Sequence, residues 1–433
     1  MGRQEETTRD VALVGGRLID GSGDLPVENA TVLVKDGRIL AAGPARSVDV
    51  PSSFEQIDVS GKTVMPALAD MHVHASGGWD GESSDMLGFQ RYLNSMLYCG
   101  VLTFLDVGNV FPFTIQMRDE IKAGRIPGPR MYTCGPLIDG PDARWFPLTR
   151  VVVSLDQIPG AVEQIQAGKV DALKAYQYLP ASFVAAIVRE GAKYGLPVIL
   201  DAGRHNGSYD LMRTTGIRAW AHLDSAEPMA PYEMEFMAEN NVSQLTTLTV
   251  IEYGSLRRLH DLSFLRHPLV RETQPPYVIS ELTEFAQQAI ANPSPRFQSG
   301  LGRLSVAMQN AKALDQAGVR LVAGTDAPYP GVFQGEGIHH ELELLVEAGL
   351  PPVRAIKCAT ANAASFMGHS DLWGVVAPDR QADLMVVDGN PAITISDTKN
   401  IAFIVQAGTI LDRSALQYDV ARETDFRPVK GIS

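Results

Sequence analysis

His72 and His74 stand two residues apart at the end of the apolar run "VMPALADMHVHASGG", residues 64–78. In a strand, residues i and i+2 share a face, so both imidazoles reach one common point. Four further side chains recur where apolar runs give way to loops: Lys174 in "DALKAY", Asp201 in "VILDAGRHNG", His222 in "AWAHLDS" and Asp326 in "AGTDAPYPG". Each taken alone has a plainer explanation, as a solvated lysine, a helix-capping or turn-forming aspartate, or a hydrogen-bonded core histidine. Placed together at the matching ends of separate strands, they form a set of metal ligands. Imidazole nitrogen and carboxylate oxygen without thiolate suit Zn²⁺, with Mn²⁺, Fe²⁺, Ni²⁺ or Co²⁺ as substitutes. An ammonium has no lone pair, so Lys174 joins such a set only as the carbamate it forms with carbon dioxide, an anionic carboxylate mimic. That reaction needs a buried lysine whose neutral amine is favoured. The other histidines, His205, His260, His267, His339, His340 and His369, lie off the strand ends.

The elements that must position these residues are legible as an alternation. Between about Thr63 and Ser370 eight apolar runs, from "TVMPALADMHVH" through "VLTFLDVG", "RMYTCG", "DALKAY", "LPVILD", "IRAWAHL" and "VSQLTTLTV" to "VRLVAGTD", are interleaved with helical stretches such as "ASFVAAIVREGAKYG". Eight such repeats predict an α/β fold, a parallel (β/α)8 TIM barrel, in which chemistry sits at the strand ends. A doubly wound nucleotide-binding sheet would carry a glycine-rich phosphate loop, and neither G-x-G-x-x-G after the first strand nor G-x-x-x-x-G-K-[ST] occurs. Both ends of the chain read differently, as short strands punctuated by Gly-Ser-Gly, Pro and Asp-Gly turns. The chain has 433 residues, 45% of them hydrophobic, and a net charge of −13, which disfavours a nucleic-acid or anionic-membrane partner. Cys99, Cys134 and Cys358 form no C-x-x-C pair, and the start "MGRQEETTRD" lacks the apolar segment of an export signal, so a cytoplasmic location is expected unless a leader has been removed.

"VMPALADMHVHASGG", Lys174, His222 and the run "LVAGTDAPYPGVFQGEGIHHELELLVEAGLPPVRAIKCATANAASFMG" resemble the amidohydrolase superfamily, in its branch of imidazolonepropionases and metal-dependent prolidases and carboxypeptidases. "GGRLIDGSG" and "DRQADLMVVDGNP" are similar to the two halves of the β-sandwich that such proteins build from both termini. The resemblance implies a distorted barrel over residues 64–371 and a small β-sandwich domain from residues 7–63 and 372–420. It implies hydrolysis of an amide in a dipeptide, N-acyl amino acid or related small molecule, at a centre of one or two ions. His72, His74 and Asp326 would hold one ion, a carboxylated Lys174 would bridge, and His222 would hold the second. Asp326 would also act as general base and acid. The family usually has histidine at the fifth strand end, where this chain has Asp201, and glutamate before the sixth-strand histidine, where it has Ala221. Asp201 is therefore expected either as a ligand of the second ion or as a hydrogen-bonding group in a one-metal enzyme. Tyr176, Tyr178, Arg204 and His205 are placed to hold a substrate carboxylate, and Trp145 and Phe146 to form a wall over the pocket. A homo-oligomer is expected. A lactonase or esterase using the same ions, or a catalytically silent binding relative, are the rival readings.

Overall fold

The computed structural model describes residues 10–177, 179–201 and 208–420. Its strands run β1 (Val11–Leu18), β2 (Val27–Lys35), β3 (Arg38–Pro44), β4 (Glu55–Asp58) and β5 (Lys62–Pro66), then β6 (Leu68–Val73), β7 (Val101–Asp106), β8 (Arg130–Thr133), β9 (Leu137–Asp139) and β10 (Thr149–Val151). They continue with β11 (Leu173–Ala175), β12 (Val198–Asp201), β13 (Ala219–Ala221), β14 (Ser243–Leu245), β15 (Leu321–Val322), β16 (Leu384–Asp388), β17 (Ile401–Gln406) and β18 (Thr409–Ile410).

The first five strands and the last three form one sheet, in the order β18-β17-β16-β5-β1-β2-β3, with β4 also paired to β1. Strand β16, from the far end of the chain, lies antiparallel to β5 with Val386 opposite Val64. The apolar run expected as a single first barrel strand is thus split. Proline cannot donate to a ladder, and after Pro66 the Ala67 amide bonds Asp383 O at 3.0 Å before β6 begins. The terminal sheet accordingly reaches Pro66, a little past the boundary expected at residue 63.

The middle of the chain is α/β with parallel sheets, β6-β7-β8 and β10-β9-β11-β12-β13-β14-β15. Strands β6 and β7 are buried at every residue, as parallel strands covered on both faces require. Backbone hydrogen bonds join the two sheets on both sides. Asp171 N donates to Thr133 O at 2.9 Å, and on the other side Met71 N donates to Ala323 O at 3.0 Å and Asp326 N to His72 O at 2.7 Å. The third apolar run, "RMYTCG", supplies β8, which pairs with β7, and the segment after it adds a further short strand, β9, which pairs with β11. The seventh run is shorter than expected: "VSQLTTLTV" is strand only over Ser243–Leu245, and Leu248–Tyr253 is helix.

Side-chain alternation positions the chemistry. Ala69, Met71, Leu105, Ala172, Ile199, Ala219, Leu245 and Val322 form one buried apolar cluster. Lys174 lies on the same strand face as Ala172, and Asp201 on the same face as Ile199, two residues nearer the strand ends. Leu173 and Leu200, on the opposite faces, pack into a separate cluster with helix residues such as Val184 and Ile187 of Ala181–Ala192. Among the described residues no helix is long and apolar enough to cross a membrane.

Candidate metal centre

His72, His74 and Asp326 converge, their ligand atoms all within 4.8 Å of one another. The Nε2 atoms of both histidines lie 3.3 Å from Asp326 Oδ1. His74 Nδ1 is 2.8 Å from Gly108 O, a pure acceptor, so Nδ1 carries the hydrogen and Nε2 faces the carboxylate. Burial pushes His72 down to about 3, which keeps its imidazole neutral, the form that binds cations. Burial alone would raise Asp326, but the two histidines beside it, His72 first, hold it well below the usual carboxylate range. Two imidazole nitrogens and an anionic oxygen aimed at one point fit a divalent cation.

The second group stands beside the first. His222 Nε2 lies 3.1 Å from Asp201 Oδ2, and the His72 and His222 rings are 4.7 Å apart. Lys174, wholly buried, sits between the groups with Nζ 3.4 Å from His72 Nε2 and 3.8 Å from Asp201 Oδ2. Burial lowers its amine, an effect that Asp201 and then Asp326 partly offset. Asp201 is held below the usual range because His222 and Lys174 outweigh its burial. His222 and Asp326 both have left-handed backbones, φ 63° and 59°, which non-glycine residues adopt only when the surroundings hold them there.

Sequence reading missed the residues that orient these groups. Thr247 Oγ1 is 2.7 Å from His222 Nδ1, and Gln177 Nε2 donates to Asp201 Oδ1 at 3.1 Å. Asp70 accepts from Thr325 Oγ1 at 2.6 Å, Thr325 N at 3.0 Å and His72 N at 3.3 Å, tying β6 to the turn that carries Asp326. Its spacing, two before His72 on the same strand, was a usable signal; the others sit in loops without one. Of the expected substrate contacts, Tyr176 is half-buried and its hydroxyl accepts from Trp145 Nε1 at 3.1 Å. Phe146, at the start of the short 3₁₀ turn Phe146–Leu148, is 69% exposed, whereas the neighbouring Trp145 is partly buried. Tyr178, Arg204 and His205 lie outside the described residues. His339 is a core histidine bonded to Cys99 O, at 2.8 Å, and Thr398. His369 stacks on Tyr132.

The chain matches the amidohydrolase family over residues 63–412. The enamidase of Eubacterium barkeri is 23% identical over 394 residues, covering 86% of this chain and 85% of that protein. Adenine deaminase 2 of Rhizobium etli is 26% identical and covers 98% of this chain, but the chain spans only 63% of that protein's length. A solved Xaa-Pro dipeptidase with methionine bound in its active site shares the fold, with a TM-score of 0.73 and 22% identity over 93% of this chain and 99% of that one. The family match takes in both parallel sheets and the return into the terminal sheet, and the chain belongs to the amidohydrolase family of hydrolases.

Proposed function

We propose that the protein is a metal-dependent amidase that hydrolyses the amide bond of a small molecule such as a dipeptide or N-acyl amino acid. The observation that carries this reading is the convergence of the His72 and His74 Nε2 atoms on Asp326 Oδ1, both at 3.3 Å. The two seams of backbone hydrogen bonds support a closed, distorted (β/α)8 barrel. The sheet built from both ends of the chain supports the β-sandwich, with the barrel running from after Pro66 to residue 371 and the chain before it together with residues 372–420 as the smaller domain. In this reading His72, His74 and Asp326 hold one Zn²⁺ or similar ion. A second ion would be held by His222, Asp201 and a carbamate formed on Lys174. A bound divalent cation lowers the pKa of a coordinated water from about 15.7 to roughly 7 and polarises a carbonyl.

The protein's own groups do the rest. Asp326, anionic and beside the attacking water, takes its proton as the new C–O bond forms. The same carboxyl then delivers that proton to the amide nitrogen as the C–N bond breaks. His74, anchored by Gly108, keeps Asp326 aimed at the reacting atoms. Tyr176 and Trp145, linked by their hydrogen bond, form one side of the substrate space, and Tyr178, Arg204 and His205 are assigned to substrate binding. The enamidase and dipeptidase similarities favour an amide substrate over an ester. Metal analysis of the purified protein, with a panel of dipeptides, N-acyl amino acids, adenine and lactones, tests the reading. Bound divalent metal with amide turnover is expected; lactone turnover alone, or a metal-free and inert protein, overturns it.

A further inference from the structure

Glu341, in the helix Glu336–Glu347, is fully buried and has no part in the reaction as derived. Its carboxylate nevertheless faces four polar groups of the segment Thr246–Thr249, where β14 turns into the helix Leu248–Tyr253. Oε1 accepts from Thr246 Oγ1 at 2.6 Å and Leu248 N at 2.9 Å. Oε2 accepts from Thr249 N at 2.9 Å and lies 3.1 Å from Thr249 Oγ1. The residues on either side of Thr247 are thus both gripped by one oxygen of the same side chain. Thr247 itself has φ 49°, a costly conformation for a β-branched residue, which persists only where its neighbours enforce it. What this enforced turn accomplishes is the 2.7 Å contact between the Thr247 hydroxyl and His222 Nδ1.

The grip extends to the other strand end. Thr249 Oγ1 is also 2.8 Å from Thr325 O, and its single hydrogen serves either that carbonyl or Glu341. Thr325 precedes Asp326, the other left-handed residue of the site. We propose that Glu341 is a positioning residue for the metal centre. It clamps Thr246 and Leu248 so that the Thr247 hydroxyl sets the orientation of the His222 ring and directs Nε2 toward the second ion. A carboxylate suits the place because it presents only acceptors. A glutamine there would turn its NH₂ group against a backbone N–H, of Leu248 or Thr249, whichever way the amide faces. The inference rests on the proposed function in one respect, that His222 holds a cation.

The test is titration of the metal-stripped full-length protein with Zn²⁺ and Co²⁺, comparing wild type, Glu341→Gln, Thr247→Val, Thr247→Ser and the Glu341→Gln/Thr247→Val double variant. Glu341→Gln and Thr247→Val are each expected to weaken the more loosely held ion by about 10–100-fold, the usual effect of removing a partner behind a histidine ligand. Both are expected to shift the Co²⁺ d–d absorption bands in the same way. Thr247→Ser restores wild-type binding, and the double variant binds no worse than the weaker single one, because the two changes break one chain of contacts. Wild-type affinity and spectrum in Thr247→Val overturn the proposal, whether or not Glu341→Gln folds. So do losses that multiply in the double variant, or a Glu341→Gln protein that melts earlier with unchanged metal binding. A wild-type protein that takes up no divalent ion instead overturns the metal-dependent reading and this inference with it.

Discussion

Asp326 is the side chain on which the proposed chemistry turns, because it faces the two histidines and is the group assigned to take the proton. Asp326→Asn keeps the shape but removes the acceptor, and turnover is expected to fall at least about 10²-fold with the fold retained. Steady-state kinetics beside a circular-dichroism spectrum check this; near-normal turnover would remove Asp326 from its role. Lys174→Ala is expected to be inactive and to recover part of its rate with added short-chain carboxylates, which can stand in for the carbamate proposed on Lys174. Asp201 is argued as a ligand because an oxygen binds Zn²⁺ at about 2.0–2.2 Å and Asp201 already faces both Lys174 and His222. Metal counting on Asp201→Ala should therefore give one ion fewer per chain than wild type, and an unchanged count would remove it from the ligand set. At this scale the sequence was informative wherever a side chain stood at a strand end: Asp201 and His222 do meet, across strands that no local spacing connects. It was silent about Gly108 O, Gln177 and Thr247, since a backbone carbonyl, a side-chain amide and a hydroxyl outside the strands acquire their partners only when distant strands come together.

Elements, rather than single side chains, decide how closely those strand ends approach. Gly324 lies where the turn after β15 presses on β6; a Cβ there would sit 2.6 Å from His72 Cβ and 2.9 Å from His72 N. Gly324→Ala is therefore expected to lose roughly 1–3 kcal/mol, as overpacking does, and to loosen metal binding, which a thermal melt and a metal titration read separately. The helix Glu336–Glu347 is held by charge as well as by its apolar face. Glu336 pairs with Arg258 at 2.7 Å; burial opposes its ionisation, but Arg258 and Lys399 carry it down to about 2 from the ordinary 4.5. A depressed carboxyl stabilises the fold above its unfolded pKa and stops doing so as pH falls toward the folded value. Stability should accordingly drop between about pH 4.5 and pH 2. Glu336→Gln should flatten that part of the acid-unfolding curve, and an unchanged slope would show that the pair contributes nothing. Element type was legible from apolar periodicity, whereas the ends of short elements were not. "VSQLTTLTV" reads as uninterrupted strand until Thr247 turns and Glu341, from a helix far along the chain, takes up the amides of Leu248 and Thr249.

For the whole molecule, the terminal sheet and the parallel sheets are joined by identifiable ties. Arg130 in β8 donates to Thr103 Oγ1 at 2.8 Å, to Gln381 Oε1 at 2.7 Å and to Asp383 Oδ2 at 2.9 Å, reaching from one to the other. Arg130→Met should destabilise the protein by roughly 1.5–3 kcal/mol, the range for hydrogen bonds to charged groups, with metal content and turnover unaltered. Denaturant unfolding together with metal analysis checks it, and a loss of metal would mean that the terminal sheet supports the site directly. That both ends of the chain form strands was legible in their matching turn-rich style, and that they join in one domain was implied by the resemblance; the insertion of β16 beside β5 was not legible, because strand order leaves no mark on composition. This strand order has a consequence for synthesis. As the chain leaves the ribosome from its first residue, β5 emerges long before β16 and waits with a bare edge able to pair with another chain. His72 and His74, which follow it, likewise wait for Asp326. The nascent protein can complete neither its sheet nor the His72–His74–Asp326 cluster until most of its length has been made, so growth conditions that slow translation should lower the yield of folded protein more than the yield of chain.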